Sequence, residues 1–223
     1  MDKAYRLEIF TPKNIPKQIY QVKITLKDIH PPIWRRVLVS NYLTFADLHQ
    51  IIQECFYWSD YHLHEFSYRY PDPPHWHIAM KGVYPDEPYP PDQEIEEMYE
   101  IGEDELRLCD VFSEKLKKVH YTYDFGDSWD HEIRLEKVFP DPEHKFRSFL
   151  CVAGKRATPP EDCGGAYGYQ QLLEVLKNPG HPDYEDMNAW VEEDFDPETI
   201  RCPISKMSPN AIEKTYGPSL NSK

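Results

Sequence analysis

Alternating apolar and polar positions predict most of the strands of this chain. Apolar side chains recur at every second residue from Tyr20 to Leu26, and a second extended stretch runs from Ile33 to Val39. A third extends from His62 to Tyr70. Because side chains alternate between the two faces of a strand, a period of two is typical of half-buried β-strands. We therefore expect three strands in the first third of the chain.

A helix is predicted between the second and third strands. Thr44 and Asp47 have the spacing of a capping box, in which the side chain of each residue accepts a backbone N–H of the other. An apolar stripe at helical spacing follows, and it comprises Phe45, Leu48, Ile52, Cys55 and Phe56. The order strand, strand, helix, strand is the one seen in β-grasp folds.

A β-hairpin is predicted in the centre of the chain, at residues 121–131. Alternation on both sides of Gly126 indicates two strands, and glycine can take the positive φ of a tight turn. Farther along, apolar spacing predicts helices at Tyr169–Lys177 and Tyr184–Val191. The sequence thus predicts an α+β fold, with a mixed or antiparallel sheet, a β-grasp-like ββαβ start and C-terminal helices packed on the sheet.

Composition divides the chain into three parts. Residues 1–17 are polar and form a lead-in, residues 18–205 form a single α+β domain, and residues 206–223 form a polar tail without core. Within the domain, residues 83–105 contain ten acidic residues, no basic residue and four prolines. Such a stretch is typical of a solvated excursion rather than of core.

The central hairpin carries more polar chemistry than a turn requires. Asp124 and Asp127 can each accept backbone N–H groups within the turn. His131 falls on the same strand face as Trp129, so we expect its imidazole to point inward, with Asp124 or Asp127 as a partner for one ring nitrogen. Turn-stabilising aspartates and a core histidine explain this pattern. The alternative is an Asp/His group that binds a ligand or acts in catalysis.

Two other stretches supply candidate partners for the hairpin. His64 and Glu65 belong to the third strand, and Asp162 lies in a long irregular loop at residues 154–165. This loop contains a Pro-Pro pair that stiffens it and a Gly-Gly pair that lets it bend. The predicted binding residues are His64, Glu65, Asp124, Asp127, Trp129, His131 and Asp162.

The sequence carries no strong metal or nucleotide signature, so the cofactor stays unassigned. The loop lacks the GxxxxGK[ST] order of a phosphate-binding loop. Two His-x-His pairs, at 62–64 and 75–77, each place two imidazoles on one strand face, but the expected register sets them too far apart for one zinc ion. Cys151 and Cys163 have no CxxC or histidine partner nearby, which disfavours a zinc site there.

Charge and cysteine usage narrow the classes of partner. The formal net charge of −14 repels phosphate backbones, which disfavours general nucleic-acid binding and leaves a protein or a small molecule as the expected partner. The five cysteines are odd in number and scattered, which suits a reducing interior. No apolar run approaches the ~20 residues of a membrane span, and the N-terminus lacks a signal-peptide core. We therefore expect a cytoplasmic protein without a membrane partner.

Several motifs together resemble one family, the Ri-plasmid ORF-3-like proteins, some of whose relatives are labelled as TnpR-type passenger proteins of insertion elements. The resemblance implies a compact α+β domain of prokaryotic, plasmid or mobile-element context. Relatives often have a cysteine where this chain has Thr158. The matching segments, which cover about residues 18–200, are Tyr20 to Arg36 with Pro-Pro-Ile-Trp-Arg-Arg, Trp58 with His62 to Phe66, Tyr121 to His131, Pro159 to Gly165 with Gly168-Tyr169, His181-Pro182 and Asp194 to Pro197.

Three functions are compatible with these features. The first is a non-catalytic binding or interaction module, because no catalytic constellation is complete. The second is a metal-dependent hydrolase or nuclease, in which Asp124, Asp127, Asp162, His131 and His64 would converge on a divalent ion. The third is a DNA-associated accessory protein, which requires a basic face. The residues available for that face are Lys23, Lys27, Arg35 and Arg36.

Overall fold

Eight strands and five helices make up the part of the chain that the computed structural model describes, namely residues 15–69, 77–81, 98–143, 146, 149–192, 194–202, 205 and 209–220. The strands are β1 (Gln18–Leu26), β2 (Trp34–Ser40), β3 (His64–Arg69), β4 (His77–Lys81), β5 (Met98–Gly102), β6 (Lys118–Tyr123), β7 (Trp129–Pro140) and β8 (Leu150–Lys155). The helices are α1 (Phe45–Phe56), α2 (Leu108–Val111), α3 (Gly165–Leu176), α4 (Tyr184–Asn188) and α5 (Pro209–Tyr216). None of these helices has the length and apolar character needed to cross a membrane.

All eight strands form one sheet, in the order β5-β4-β3-β6-β7-β1-β2-β8. Every neighbouring pair is antiparallel except β4 and β5, which are parallel. The predicted α+β class with a mixed sheet is therefore confirmed. The chain starts with the predicted ββαβ order, and β6 and β7 lie between β3 and β1 in the sheet.

Helix α1 packs on one face of the sheet and begins where the sequence predicts. The side-chain oxygen of Thr44 accepts the N–H of Asp47 at 3.1 Å, and the Asp47 carboxylate accepts the N–H of Thr44 at 2.8 Å, which completes the capping box. All five residues of the predicted apolar stripe are buried. Phe45 meets Phe66 of β3 edge to face, with 5.1 Å between ring centroids. The helix thus anchors the main core against the middle of the sheet.

Part of the acidic stretch belongs to the sheet, contrary to the predicted solvated excursion over residues 83–105. Residues 82–97 lie outside the described residues. Met98–Gly102 form β5 beside β4, and Ile101 is buried. Glu103 is also buried, because its carboxylate pairs with the imidazole of His64 at 2.8 Å. Charge composition does not reveal this arrangement, because the segment is held at the sheet edge by pairing with β4, by the buried Ile101 and by the contact between Glu103 and His64.

Residues near the C-terminus also contribute to a hydrophobic core, although the sequence predicts a polar tail without core over residues 206–223. Ile212 of α5 is 2% exposed and packs in a second, smaller core with Ile19, Leu38 and Phe139 on the face of the sheet opposite α1. The N–H of Leu220 donates to the carbonyl of Val138 at 2.8 Å. A single buried isoleucine in a polar helix gives too little periodic signal to be found in the sequence.

Candidate functional site

The loop that follows β8 lies directly against the tip of the β6–β7 hairpin. The hydroxyl of Tyr123, the last residue of β6, donates to Oε1 of Glu161 at 2.5 Å. The N–H of Gly164 donates to the carboxylate of Asp127 at 3.1 Å, and the indole N–H of Trp58 donates to the carbonyl of Pro159 at 3.1 Å. Residues 121–131 and 154–165, the two segments of the predicted site, are therefore in contact. We call them the tip–loop surface.

Two glycines allow this contact to be close. Gly165 has a φ of +66°, and a Cβ atom added there would lie 2.3 Å from the carbonyl oxygen of Asp127. A Cβ atom added at Gly168 would lie 1.9 Å from the carbonyl oxygen of Cys163. Because atoms of these types cannot approach so closely, both positions require glycine. The start of α3 is thereby held against the hairpin tip.

One imidazole and two carboxylates converge at the tip–loop surface. Nδ1 of His62 lies 3.7 Å from Oδ1 of Asp124, and Nε2 lies 3.3 Å from Oδ1 of Asp162. One ligand atom from each residue lies within 4.8 Å of the others. Nitrogen and oxygen ligands at this spacing could hold a divalent cation. The convergence of Asp124 and Asp162 agrees with the sequence, but the histidine is His62 and not the predicted His64.

Trp129 and His131 form the floor beneath the tip. Each is 1% exposed, so the predicted inward orientation of His131 is confirmed. The predicted aspartate partner is wrong, because Nδ1 of His131 donates to the carbonyl of Trp129 at 2.8 Å. Burial lowers the pKa of His131 to about 3, which keeps the ring neutral at neutral pH. The imidazole meets the rings of Phe56 and Trp58 edge to face and acts as a core group.

The side chains of His64 and Glu65 do not belong to the group formed by His62, Asp124 and Asp162. Nε2 of His64 pairs with Glu103 at 2.8 Å, and its ring stacks on His49 with 3.5 Å between centroids. Glu65, the next residue along β3, has its side chain on the opposite face of the sheet. Neither residue joins Asp124 and Asp162. The predicted convergence of five Asp and His side chains is therefore reduced to these two aspartates, since Asp127 bonds the loop instead.

A closed ring of hydrogen bonds lies behind the site. The amide of Gln53 donates to the hydroxyl of Tyr121 at 3.1 Å, and this hydroxyl donates to Nδ1 of His49 at 2.8 Å. Nε2 of His49 donates to Asp60 at 2.8 Å, and the N–H of Asp60 donates back to the side-chain oxygen of Gln53 at 3.1 Å. Nε2 must carry the proton because a carboxylate only accepts.

This Asp–His–Tyr series resembles a catalytic relay, but Tyr121 is fully buried and cannot reach a substrate. Burial, and then the neighbouring His64, lower the pKa of His49. The closed ring of hydrogen bonds therefore positions α1 against β6. The sequence offered one signal for it, since His49 follows Phe45 by four residues and so lies on the inner face of α1.

A cavity of about 150 Å³ borders the loop on the side facing the segment that follows α4, which contributes Trp190 and Phe195 to its lining. Arg35 forms part of its wall and is 1% exposed. Its guanidinium donates to the carbonyls of Cys55, Trp34 and Lys155 and to the hydroxyl of Thr158. Arg36, on the other face of β2, forms a bidentate pair with Glu136 at 2.6 and 2.9 Å. Arg35 and Arg36 therefore do not form the basic face that a DNA-associated protein would need.

The fold and motifs of this chain match a known family. The profile of the plasmid pRiA4b ORF-3-like proteins matches residues 18–202, which include the whole tip–loop surface. The chain belongs to the plasmid pRiA4b ORF-3-like family. The family resemblance of its motifs is thereby confirmed.

Two proteins of similar sequence extend this result. The protein named "Uncharacterized protein y4hQ" of Sinorhizobium fredii is 30% identical over 179 residues, which are 80% of this chain and 84% of that protein. The crystal structure of a protein of unknown function, MM3350 of Methanosarcina mazei Go1, has 38% sequence identity and a TM-score of 0.72. The similarity covers 84% of this chain and 97% of that one. These names state no activity, so the function must be argued from the site.

Proposed function

We propose that this ORF-3-like protein is a binding module that recognises a positively charged protein segment with its tip–loop surface. The observation that carries the proposal is the concentration of exposed aromatic side chains around fixed carboxylates. Tyr61, Phe125 and Tyr167 are 82%, 51% and 73% exposed. Among the described residues, most exposed large apolar side chains belong to this surface or to segments beside it. Phe125 is in the tip, Tyr61 and Leu63 are in a segment bonded to the tip, Tyr57 and Trp190 line the cavity beside the loop, and Tyr167 lies two residues after Gly165, which abuts Asp127.

Backbone hydrogen bonds hold the segment 61–63 beside the tip. The N–H of Tyr61 donates to the hydroxyl of Tyr123 at 3.1 Å, and the N–H of Asp124 donates to the carbonyl of Leu63 at 2.9 Å. The segment 61–63 therefore runs along the tip that carries Phe125. Exposed aromatic groups are enriched at the centres of protein interfaces because they bury a large area with little loss of side-chain freedom.

The negative charge of the tip–loop surface favours a positively charged partner. Asp162 is exposed, the Asp60 side chain is 40% exposed, and Glu161 fixes the loop to Tyr123. Carboxylates attract lysine and arginine side chains, and the same cations bind favourably over aromatic rings. A basic segment would satisfy both groups, whereas an acidic segment or a phosphate backbone would be repelled by a chain with a net charge of −14.

A peptide titration tests this function. A lysine- and arginine-rich peptide added to ¹⁵N-labelled protein should shift the amide signals of residues 57–63 and 124–128, and a glutamate-rich peptide should not. Replacing both Tyr61 and Phe125 with alanine should weaken binding about tenfold, equivalent to about 1.4 kcal/mol. Tyr42→Ala is the matched control, because Tyr42 is exposed near the start of α1, outside this surface. Equal shifts with both peptides would refute the proposal.

A second candidate function, metal-dependent hydrolysis, rests on the convergence of His62, Asp124 and Asp162. A divalent ion held there would leave coordination positions for water and substrate. Mn²⁺ should then broaden the NMR signals of residues 62, 124 and 162 and support hydrolysis of bis-p-nitrophenyl phosphate, with both effects lost in His62→Ala. Mn²⁺ broadening without hydrolysis would leave a cation site and exclude this activity.

A further inference from the structure

Three cysteines from distant parts of the chain meet beside the cavity, and two of them, Cys55 and Cys202, line it. Cys55 is in α1, Cys151 is in β8, and Cys202 follows α4, and all three are buried free thiols. Their sulfur atoms lie within 4.8 Å of one another. The N–H of Ser205 donates to the carbonyl of Cys151 at 2.7 Å, which holds Ser205, three residues after Cys202, against β8.

The distance between the sulfur atoms fits a single metal ion. Zinc in a tetrahedral site binds each thiolate at about 2.3 Å, which places the sulfur atoms about 3.8 Å apart. This separation lies within the 4.8 Å limit that the three sulfur atoms satisfy. A disulfide between two of them would leave the third thiol alone, whereas a metal ion would use all three. Thiolate sulfur favours soft and borderline ions such as Zn²⁺ over Mg²⁺ or Ca²⁺.

The surrounding charge also fits a thiolate site. Three thiolates and one Zn²⁺ leave one excess negative charge, and the buried guanidinium of Arg35 can neutralise it. Arg35 cannot turn away, because backbone carbonyls on both sides and the hydroxyl of Thr158 hold its N–H groups.

The fourth coordination position would face the cavity. Cys55 and Cys202 belong to its lining, together with Arg35 and the segment 157–160. A volume of about 150 Å³ accommodates a few water molecules or a small ligand group. Three protein ligands with one open position are typical of zinc sites that bind or activate an exogenous molecule.

We propose that Cys55, Cys151 and Cys202 bind Zn²⁺ through three thiolates, with a fourth position open to the cavity. The three cysteines lie outside the tip–loop surface, although residues 157–160 of its loop line the same cavity, and the zinc site does not depend on the function proposed for that surface. It is also separate from the cluster of His62, Asp124 and Asp162, which offers harder nitrogen and oxygen ligands.

Metal content and cobalt spectra test the site. Full-length reduced protein, treated with a chelator and reloaded with Zn²⁺, should retain one equivalent after desalting. Co²⁺ loaded in its place should give an intense near-ultraviolet thiolate-to-cobalt band. Cys202→Ser should lose the band and most of the zinc. Cys163→Ser, which removes a half-buried thiol outside the cluster, and Asp124→Asn, which alters the other candidate cation site, should retain both.

Alkylation mapping keeps the test independent of any variant that fails to fold. In the wild-type protein, Zn²⁺ should slow the reaction of Cys55, Cys151 and Cys202 with iodoacetamide at least tenfold and leave that of Cys163 unchanged. The proposal would be overturned by wild-type protein that retains no zinc and shows no thiolate-to-cobalt band. Zinc lost in Asp124→Asn but retained in Cys202→Ser would overturn it equally.

Discussion

The hydroxyl of Tyr123 lies 2.5 Å from Oε1 of Glu161 and joins the end of β6 to the loop that follows β8. The other carboxylate oxygen of Glu161 accepts the N–H of Ser59 at 3.0 Å. One carboxylate thus connects three segments, namely the hairpin, the loop and the turn after α1. Burial, followed by the hydrogen bond to Glu161, raises the pKa of Tyr123, so the phenol keeps its proton and remains a donor at neutral pH.

Tyr123→Phe should release the loop from the hairpin tip. The substitution removes the donor to Glu161 and the acceptor for the N–H of Tyr61. A hydrogen bond to a charged group contributes about 1.5–3 kcal/mol, so we expect the free energy of unfolding to fall by about 2 kcal/mol. Amides of residues 156–164 should exchange with deuterium faster. Tyr61→Phe removes a hydroxyl from an exposed ring and should change neither quantity; unchanged exchange in Tyr123→Phe would contradict this role.

Gly168→Ala should destabilise the protein through the start of α3. Its new Cβ would lie 1.9 Å from the carbonyl oxygen of Cys163, so the helix must move away from the loop. We expect a loss of about 3 kcal/mol, measured by urea unfolding, because backbone atoms cannot adjust as side chains do. Gly180→Ala is the matched control, since its Cβ meets only a side-chain oxygen at 3.5 Å. Equal stability of the two variants would refute the close contact.

His131 should make the protein less stable in acid. In the unfolded chain a histidine takes up a proton near pH 6.5, whereas burial lowers the pKa of folded His131 to about 3. Between these values the unfolded state binds the extra proton, so stability is fully present above pH 6.5 and is lost as the pH falls. From pH 7 to pH 5 this group should lower the free energy of unfolding by about 2 kcal/mol.

Urea unfolding at several pH values measures this slope. Between pH 7 and pH 5, the free energy of unfolding should fall by about 2 kcal/mol less in His131→Leu than in the wild-type protein, whatever the effect of the substitution on absolute stability. His120→Leu, which removes an exposed histidine from the same hairpin, should leave the slope unchanged. A wild-type slope that persists in His131→Leu would mean that the buried imidazole is not its source.

Tyr121→Phe should open the buried ring of hydrogen bonds. The amide of Gln53 and Nδ1 of His49 would each lose a partner in a region closed to water. Unpaired buried groups cost about 1–3 kcal/mol each, so we expect the two together to cost about 2 to 6 kcal/mol in thermal or urea unfolding. Tyr167→Phe removes an exposed hydrogen bond from Gln171 and should cost less than about 0.5 kcal/mol. A loss of less than about 0.5 kcal/mol in Tyr121→Phe would contradict the closed ring of hydrogen bonds.

Local patterns in the sequence predicted the elements that local physics controls. Alternation located the hairpin, and Thr44 and Asp47 located the start of α1, because both signals lie within a few neighbouring residues. The helix stripe also placed Cys55 in the core. The same periodicity predicted the ends of β1 and β2 to within two residues.

The site features that the sequence did not predict depend on tertiary contacts. His62 precedes β3, so strand alternation does not fix the direction of its side chain, and only the folded loop brings Asp162 to it. The three clustered cysteines come from a helix, a strand and a C-terminal segment, with no spacing that a motif could reveal. Cys163 is the nearer neighbour of Cys151 in sequence, but the sulfur of Cys151 lies beside those of Cys55 and Cys202.

The pairing of β1 with β7 joins the beginning of the chain to its second half, as when Ile24 lies opposite Ile133. During synthesis on the ribosome, β1 and β2 can form their own hairpin early, but one edge of β1 must wait until β7 has been translated. Sheets that depend on such distant partners fold slowly and expose strand edges in the meantime. Newly made chains of this protein should therefore rely on chaperones more than the finished fold would suggest.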